Sequence, residues 1–173
     1  MNIKSQINKL TFSAMVIAIY VVIMFTTQAF ASGMFQIRIA TTLYALPAIF
    51  PFLVIPLGVA NSLSNMLLGG ISFSIADIVG GFLVGLLTTS TVFFIKKINL
   101  NDWFIALPII FIPGLIVPIW LTPILVSFGE DVTYFIIAGL LIAGQIIPGI
   151  FGVLMIKQLN KHGISFDKYK KNK

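Results

Sequence analysis

The chain has 173 residues, 58% hydrophobic and 9% charged, with eleven basic and five acidic residues for a net charge of +6. Soluble domains are about a quarter charged, and a mean hydropathy of +1.07 marks an integral membrane protein with room for one helical domain. There is no cysteine, which excludes disulfide and thiolate chemistry; the lysines cluster beside apolar runs and read as topology signals, so no nucleic-acid partner is expected.

Residues 1–9 form a polar, basic lead. Residues 10–30 are long enough to cross a bilayer. Ala29-Phe30-Ala31 has the form of a signal-peptidase site, but the apolar run is long and further membrane segments follow. Within this span Ala14 and Ala18 lie four apart on one face. Small residues at that spacing let another helix approach closely; packing within the chain is the plain reading of such a face.

Residues 31–38 make a short loop. Residues 39–68 pose a question of one crossing or two. Thirty helical residues would measure about 45 Å, more than a core of roughly 30 Å needs. Pro47, Pro51 and Pro56 also argue against one straight helix. Lys4 and Lys9 precede the first span, and Lys96 and Lys97 follow the span at 73–95. The positive-inside rule places both pairs in the cytoplasm, which requires an even number of crossings between them. Residues 36–50 and 52–68 are therefore read as two short spans.

The fourth span, 73–95, carries Gly80, Gly81 and Gly85 as a thin face. The fifth, 103–126, is punctuated by Pro108, Pro113, Pro118 and Pro123, which predict kinks and freed carbonyls. Glu130 and Asp131 fall in an outer loop. The sixth span covers 132–157, and a basic tail over 158–173 follows in the cytoplasm. The expectation is a single domain: an all-α bundle of six transmembrane helices with both termini cytoplasmic. No internal repeat of the kind found in many secondary transporters is visible.

Catalytic chemistry is not in evidence. The sequence has no GxxxxGK[ST] phosphate loop. Its one histidine, His162, lies in the polar tail without a second ligand, so no metal site is expected. No nucleophile motif surrounds the serines. What stands out is a small polar set within residues 35–81. Arg38 is the only arginine and offers a planar fork of donors. Asn61 and Asn65 lie four apart and share a helix face. Asp77 sits in apolar surroundings. Polar groups are costly in hydrocarbon and face cavities or partners, and amides and a carboxylate suit the edge of a heterocycle. Each has a plainer reading. The asparagines either join helices or face a ligand, and Asp77 caps the fourth span, pairs with Arg38 or accepts from a ligand. Tyr44, Phe50, Phe73 and Trp120 are candidate flat walls, though single aromatics in such a chain usually fill core or face lipid.

The chain resembles the substrate-binding S components of energy-coupling factor transporters, through its six-span layout and its Ala14-xxx-Ala18 face. Among these it is most similar to the QueT/QrtT type, assigned to queuosine precursors. The similarity runs through Phe35-Gln36-Ile37-Arg38, Leu43, Pro47, Gly58, Asn65-Met66-Leu67-Leu68-Gly69-Gly70 and Asp77-Ile78-Val79-Gly80. It implies an all-α bundle in a prokaryotic cell membrane and no cofactor in this chain. The implied partners are a transmembrane coupling subunit docking at Ala14 and Ala18 and two ATPase subunits that use ATP. It also implies ligand contacts at Arg38, Asn65 and Asp77, with Asn61, Gln145 and Thr41 as further candidates. Family carboxylates are replaced by Thr41 and Gln145, which suit a neutral edge rather than a cationic handle. The alternatives are an S component for a different vitamin or heterocycle, and a self-sufficient small secondary carrier.

Overall fold

The structure is a computed structural model that describes residues 3–31, 36–68 and 75–166. Phe35, Gly69, Gly70, Phe73 and the lysines at 168, 170, 171 and 173 lie outside the described residues. The described chain is all-helical, with no strand. In order it forms α1 (Ile3–Thr26), the single turn α2 (Gln28–Ala31), a 3-10 helix at Ile39–Ala48, a 3-10 turn at Pro51–Leu53 running into α3 (Val54–Leu68), and α4 (Ile75–Lys97). A 3-10 turn at Asp102–Ile105 then leads into α5 (Ala106–Ile116), α6 (Pro118–Ser127) and α7 (Tyr134–Lys161). Five stretches are long and apolar enough to cross a membrane: Gln6–Thr26, Pro51–Leu68, Ile75–Lys97, Asp102–Ser127 and Tyr134–Lys161. With the shorter 3-10 helix they make a six-helix bundle of a multi-pass membrane protein.

Lipid tails are as apolar as leucine, so hydrophobicity alone does not bring membrane helices together; close packing and hydrogen bonds do. Small residues supply the close packing here. A Cβ added at Gly85 would stand 2.9 Å from the Cα of Gly58, so α3 and α4 meet nearly backbone to backbone. Thr89 adds a hydrogen bond across the same seam, from its hydroxyl to the Val54 carbonyl (3.2 Å). On α7, Gly152 faces Ala45 of the 3-10 helix, and Gly149 faces Ile110 of α5.

The second element differs from an ordinary span. Ile39–Ala48 is a 3-10 helix of ten residues, which rises about 20 Å at 2.0 Å per residue. Threonines at 41 and 42 and Pro47 within the helix disfavour α-helical winding. Its placement makes up for its length. Ala40, Thr41, Tyr44, Ala45, Leu46, Pro47 and Ala48 are buried, with α1, α4 and α7 packed around them. Irregular backbone at membrane depth is tolerated where protein covers it.

α1 is the least embedded of the long helices. Ser13, Val16, Tyr20 and Met24 are buried, a stripe one residue wide at spacings of three and four. Ala14 and Ala18 are on its exposed side. The helical run over 106–127 is interrupted at Val117, and Pro118, which has no N–H to give the ladder, opens α6.

One end of the bundle is tied by polar contacts. Lys96 pairs with Asp102 at 2.7 Å. Asn160 of α7 donates to the second Asp102 oxygen at 3.3 Å, and Lys157 stands 4.3 Å from the centre of the Trp103 ring. Phe12 of α1 meets Phe50 at 5.2 Å and Phe52 at 6.1 Å. Arg38, the end of α3 and the start of α4 lie toward the other end of the bundle.

Candidate functional site

Arg38 precedes the 3-10 helix as its N-terminal cap residue. Thr41 and Tyr44 follow at three-residue steps. A helix with three residues per turn eclipses side chains at that spacing, so these three form a row. The row lines one wall of a cleft whose other walls come from α3, α4, α5 to α6, and α7. The cleft has about 380 Å³ of atom-free space, counting its open side.

A charged side chain among membrane helices needs partners, and here the guanidinium is held by neutral groups. Its Nη1 donates to Asn61 Oδ1 at 3.1 Å and its Nη2 to Asn65 Oδ1 at 3.0 Å. Both asparagines are buried. One helical turn apart on α3, they present their oxygens to the two prongs of the guanidinium. Each amide nitrogen reaches back to α4: Asn61 Nδ2 donates to the Gly81 carbonyl (2.7 Å) and Asn65 Nδ2 to the Asp77 carbonyl (2.9 Å). This pattern determines which way both amides point, because Arg38 has only donors and the carbonyls only accept. Gly81 makes the approach possible, since a Cβ there would collide with Asn65 Nδ2.

Asp77, in the first turn of α4, accepts from the Trp120 indole N–H at 3.2 Å. Trp120 lies against Gly80, where an added Cβ would come within 2.6 Å of the ring. Among the described residues Arg38 and Asp77 form no ion pair, and the Arg38 Nε is buried without a hydrogen-bond partner. The cleft thus holds one cation and one carboxylate, not spent on each other.

The opposite wall is neutral. The Thr41 hydroxyl lies 2.6 Å from the Arg38 carbonyl and 2.7 Å from Gln145 Oε1. It has one proton for two acceptors. Turning the Gln145 amide lets its nitrogen donate to Thr41 while Thr41 donates to Arg38, which satisfies all three groups. Gln145 is buried on α7. The preceding residue, Gly144, lies against the Gln36 carbonyl, where a Cβ would not fit.

All six residues singled out from the sequence as ligand contacts, Arg38, Thr41, Asn61, Asn65, Asp77 and Gln145, line this one cleft. Of the expected aromatic walls, Tyr44 and Trp120 are present. Phe50 is not; it packs with Phe12 and Phe52. Ala14 and Ala18 lie away from the cleft, on exposed α1. Gln36, Gly81, Val84, Pro113, Val117 and Leu141 complete the lining; nothing in the sequence marks Val84, Val117 or Leu141 beyond their apolar character. Behind the lining, Tyr20 of α1 donates to Asn61 Oδ1 at 3.2 Å. It reads in the sequence as one more apolar residue of the first span.

The described residues contain no group of histidine, cysteine, aspartate or glutamate able to hold a metal ion. The arrangement is one for binding: donors, acceptors and flat surfaces around a small space. No curated protein and no solved structure matches the chain significantly. The profile of the family described as "QueT transporter" matches residues 10–161, a stretch that includes every lining residue of the cleft. With most of its length matched, this membrane-embedded, all-α chain belongs to the QueT transporter family.

Proposed function

We propose that this chain is the substrate-binding subunit of an ATP-driven importer, and that its ligand is a deazapurine of the queuosine pathway. The observation that carries the reading is the pairing that does not occur. Arg38 and Asp77 line one buried cleft, yet Arg38 is held by two neutral amides and keeps an unpartnered Nε. A purine-like edge, with acceptors beside N–H donors, suits a guanidinium and a carboxylate that line one cleft without pairing. Trp120 and Tyr44 supply flat surfaces for the ring.

Thr41 and Gln145 give the far wall no charge, so the ligand edge there is neutral. The ligand reaches the cleft from the end of the bundle remote from Lys96 and Lys97, which the positive-inside rule places in the cytoplasm with both termini. The sequence has no phosphate loop, so the energy of transport comes from two partner ATPase subunits. A transmembrane coupling subunit engages the exposed Ala14 and Ala18 face.

Equilibrium binding to the purified, detergent-solubilised chain tests this reading. A neutral 7-cyano-7-deazaguanine should bind at least as tightly as the cationic 7-aminomethyl compound, and Arg38→Ala should abolish both. A clear preference for the cation overturns the neutral wall. Failure to bind either compound overturns the substrate class.

A further inference from the structure

Tyr20 is fully buried on a helix whose other described side chains face mostly outward. Its ring stacks on that of Tyr44, with centroids 5.7 Å apart and planes at 16°. The two hydroxyls are 3.2 Å apart. The direction of each bond follows from what surrounds it. Asn61 Nδ2 is committed to the Gly81 carbonyl, so Asn61 meets Tyr20 with its oxygen, and Tyr20 must donate. The Tyr20 proton is then spent, and Tyr44 donates to the Tyr20 oxygen. Asn61 Oδ1 receives two protons, one from Tyr20 and one from Arg38 Nη1.

Among the described side chains, Tyr20 makes the only hydrogen bonds from α1 to another element; Thr26 bonds to carbonyls of α1 itself. The rest of the attachment is packing, through buried Ser13, Val16 and Met24 and half-buried Phe12, Ile17 and Ile23. Ala14 and Ala18 are exposed on the same helix, away from Tyr20. We propose that Tyr20 is a positioning residue for the cleft, fixing Asn61 beneath Arg38, so that displacement of α1 loosens the guanidinium and weakens ligand binding. This deepens, and rests on, the ligand-binding reading above. A partner that draws α1 outward removes the Tyr20 donor from Asn61. Arg38 then loses part of its seat, and with it Asn65 and the Asp77 backbone to which Asn65 donates.

The test uses the full chain in detergent with a Trp103→Phe change throughout, so that Trp120 is the only tryptophan. Tyr20→Phe keeps the stacked ring and removes the hydroxyl. It should raise the Kd for 7-cyano-7-deazaguanine roughly tenfold, the effect of one lost hydrogen bond of about 1.4 kcal/mol. In an Asn61→Ala background the same change should have no further effect, because Tyr20 acts through Asn61. A merely structural tyrosine would lower affinity equally in both backgrounds, and that result overturns the proposal, as does unchanged affinity in the single variant. Acrylamide quenching of Trp120 without ligand gives a separate readout. Tyr20→Phe should raise the quenching constant, and Tyr134→Phe, whose hydroxyl meets the Leu115 carbonyl, should not. If the parent chain binds no deazapurine, the substrate reading falls while quenching still decides this one: equal constants for the parent and Tyr20→Phe refute it.

Discussion

Gly81→Ala separates recognition from stability. The added methyl enters the space of Asn65 Nδ2 and lies 3.4 Å from Asn61 Nδ2. Asn65 must turn, which breaks its bond to the Asp77 carbonyl and its acceptance from Arg38 Nη2. The Arg38 bond is charge-assisted and contributes about 1.5–3 kcal/mol, and the amide-to-carbonyl bond about 1 kcal/mol. Against this, alanine stabilises the interior of a helix by about 1 kcal/mol relative to glycine. The net change in stability is a loss of about 1–3 kcal/mol. Binding has no compensating term. The guanidinium loses one of its two anchors and Asn65 blocks the cleft, so affinity should fall at least thirtyfold, which corresponds to about 2 kcal/mol. Isothermal titration of the deazapurine, run beside thermal unfolding of the same detergent sample, measures both quantities. Wild-type affinity in Gly81→Ala would refute the argument, because it would mean that ligand binding does not depend on Asn65 keeping its place beneath Arg38.

Two further outcomes follow from the packing. Gly144→Ala drives a Cβ into the Gln36 carbonyl, a backbone group that cannot turn aside; overpacking of this kind costs about 1–3 kcal/mol, and the unfolding midpoint in detergent should fall even without ligand. Ala14→Leu or Ala18→Leu, on the exposed side of α1, should leave ligand affinity of the isolated chain unchanged while stopping uptake by cells that depend on it, and loss of binding in the folded variant would contradict this.

The polar side of the cleft was legible in the sequence because polarity is rare there. Arg38, Asn61, Asn65 and Asp77 stand out in an apolar chain, and the four-residue spacing of the asparagines already places them on one helix face. What pairing they adopt was not legible. Asp77 had cap, salt-bridge and ligand readings open; its carboxylate meets the Trp120 indole rather than Arg38, a contact 43 residues distant that no local pattern announces. Phe50 looked as suitable a wall as Tyr44. Phe50 follows the 3-10 helix and joins Phe12 and Phe52, whereas Tyr44 lies within it. Tyr20 was invisible because a tyrosine on a lipid-facing helix has no distinguishing neighbour in sequence. The number of elements was readable from charge and proline positions; that the second would wind as a 3-10 helix depended on burial by α1, α4 and α7, a tertiary fact.

That winding makes helical pitch a variable of the site. If residues 39–48 relaxed to 3.6 residues per turn, each three-residue step would fall about 60° short of a full revolution, and the segment would contract from about 20 Å to about 15 Å. Tyr44 would swing away from Thr41, and the row beginning at Arg38 would become a spiral. No side chain need change for the wall to vanish. A residue inserted between 38 and 44 would do comparable damage with every lining group still present. Comparison of related chains by residue identity alone would then score such a protein as intact, although its cleft had been dismantled by a phase error in one short helix.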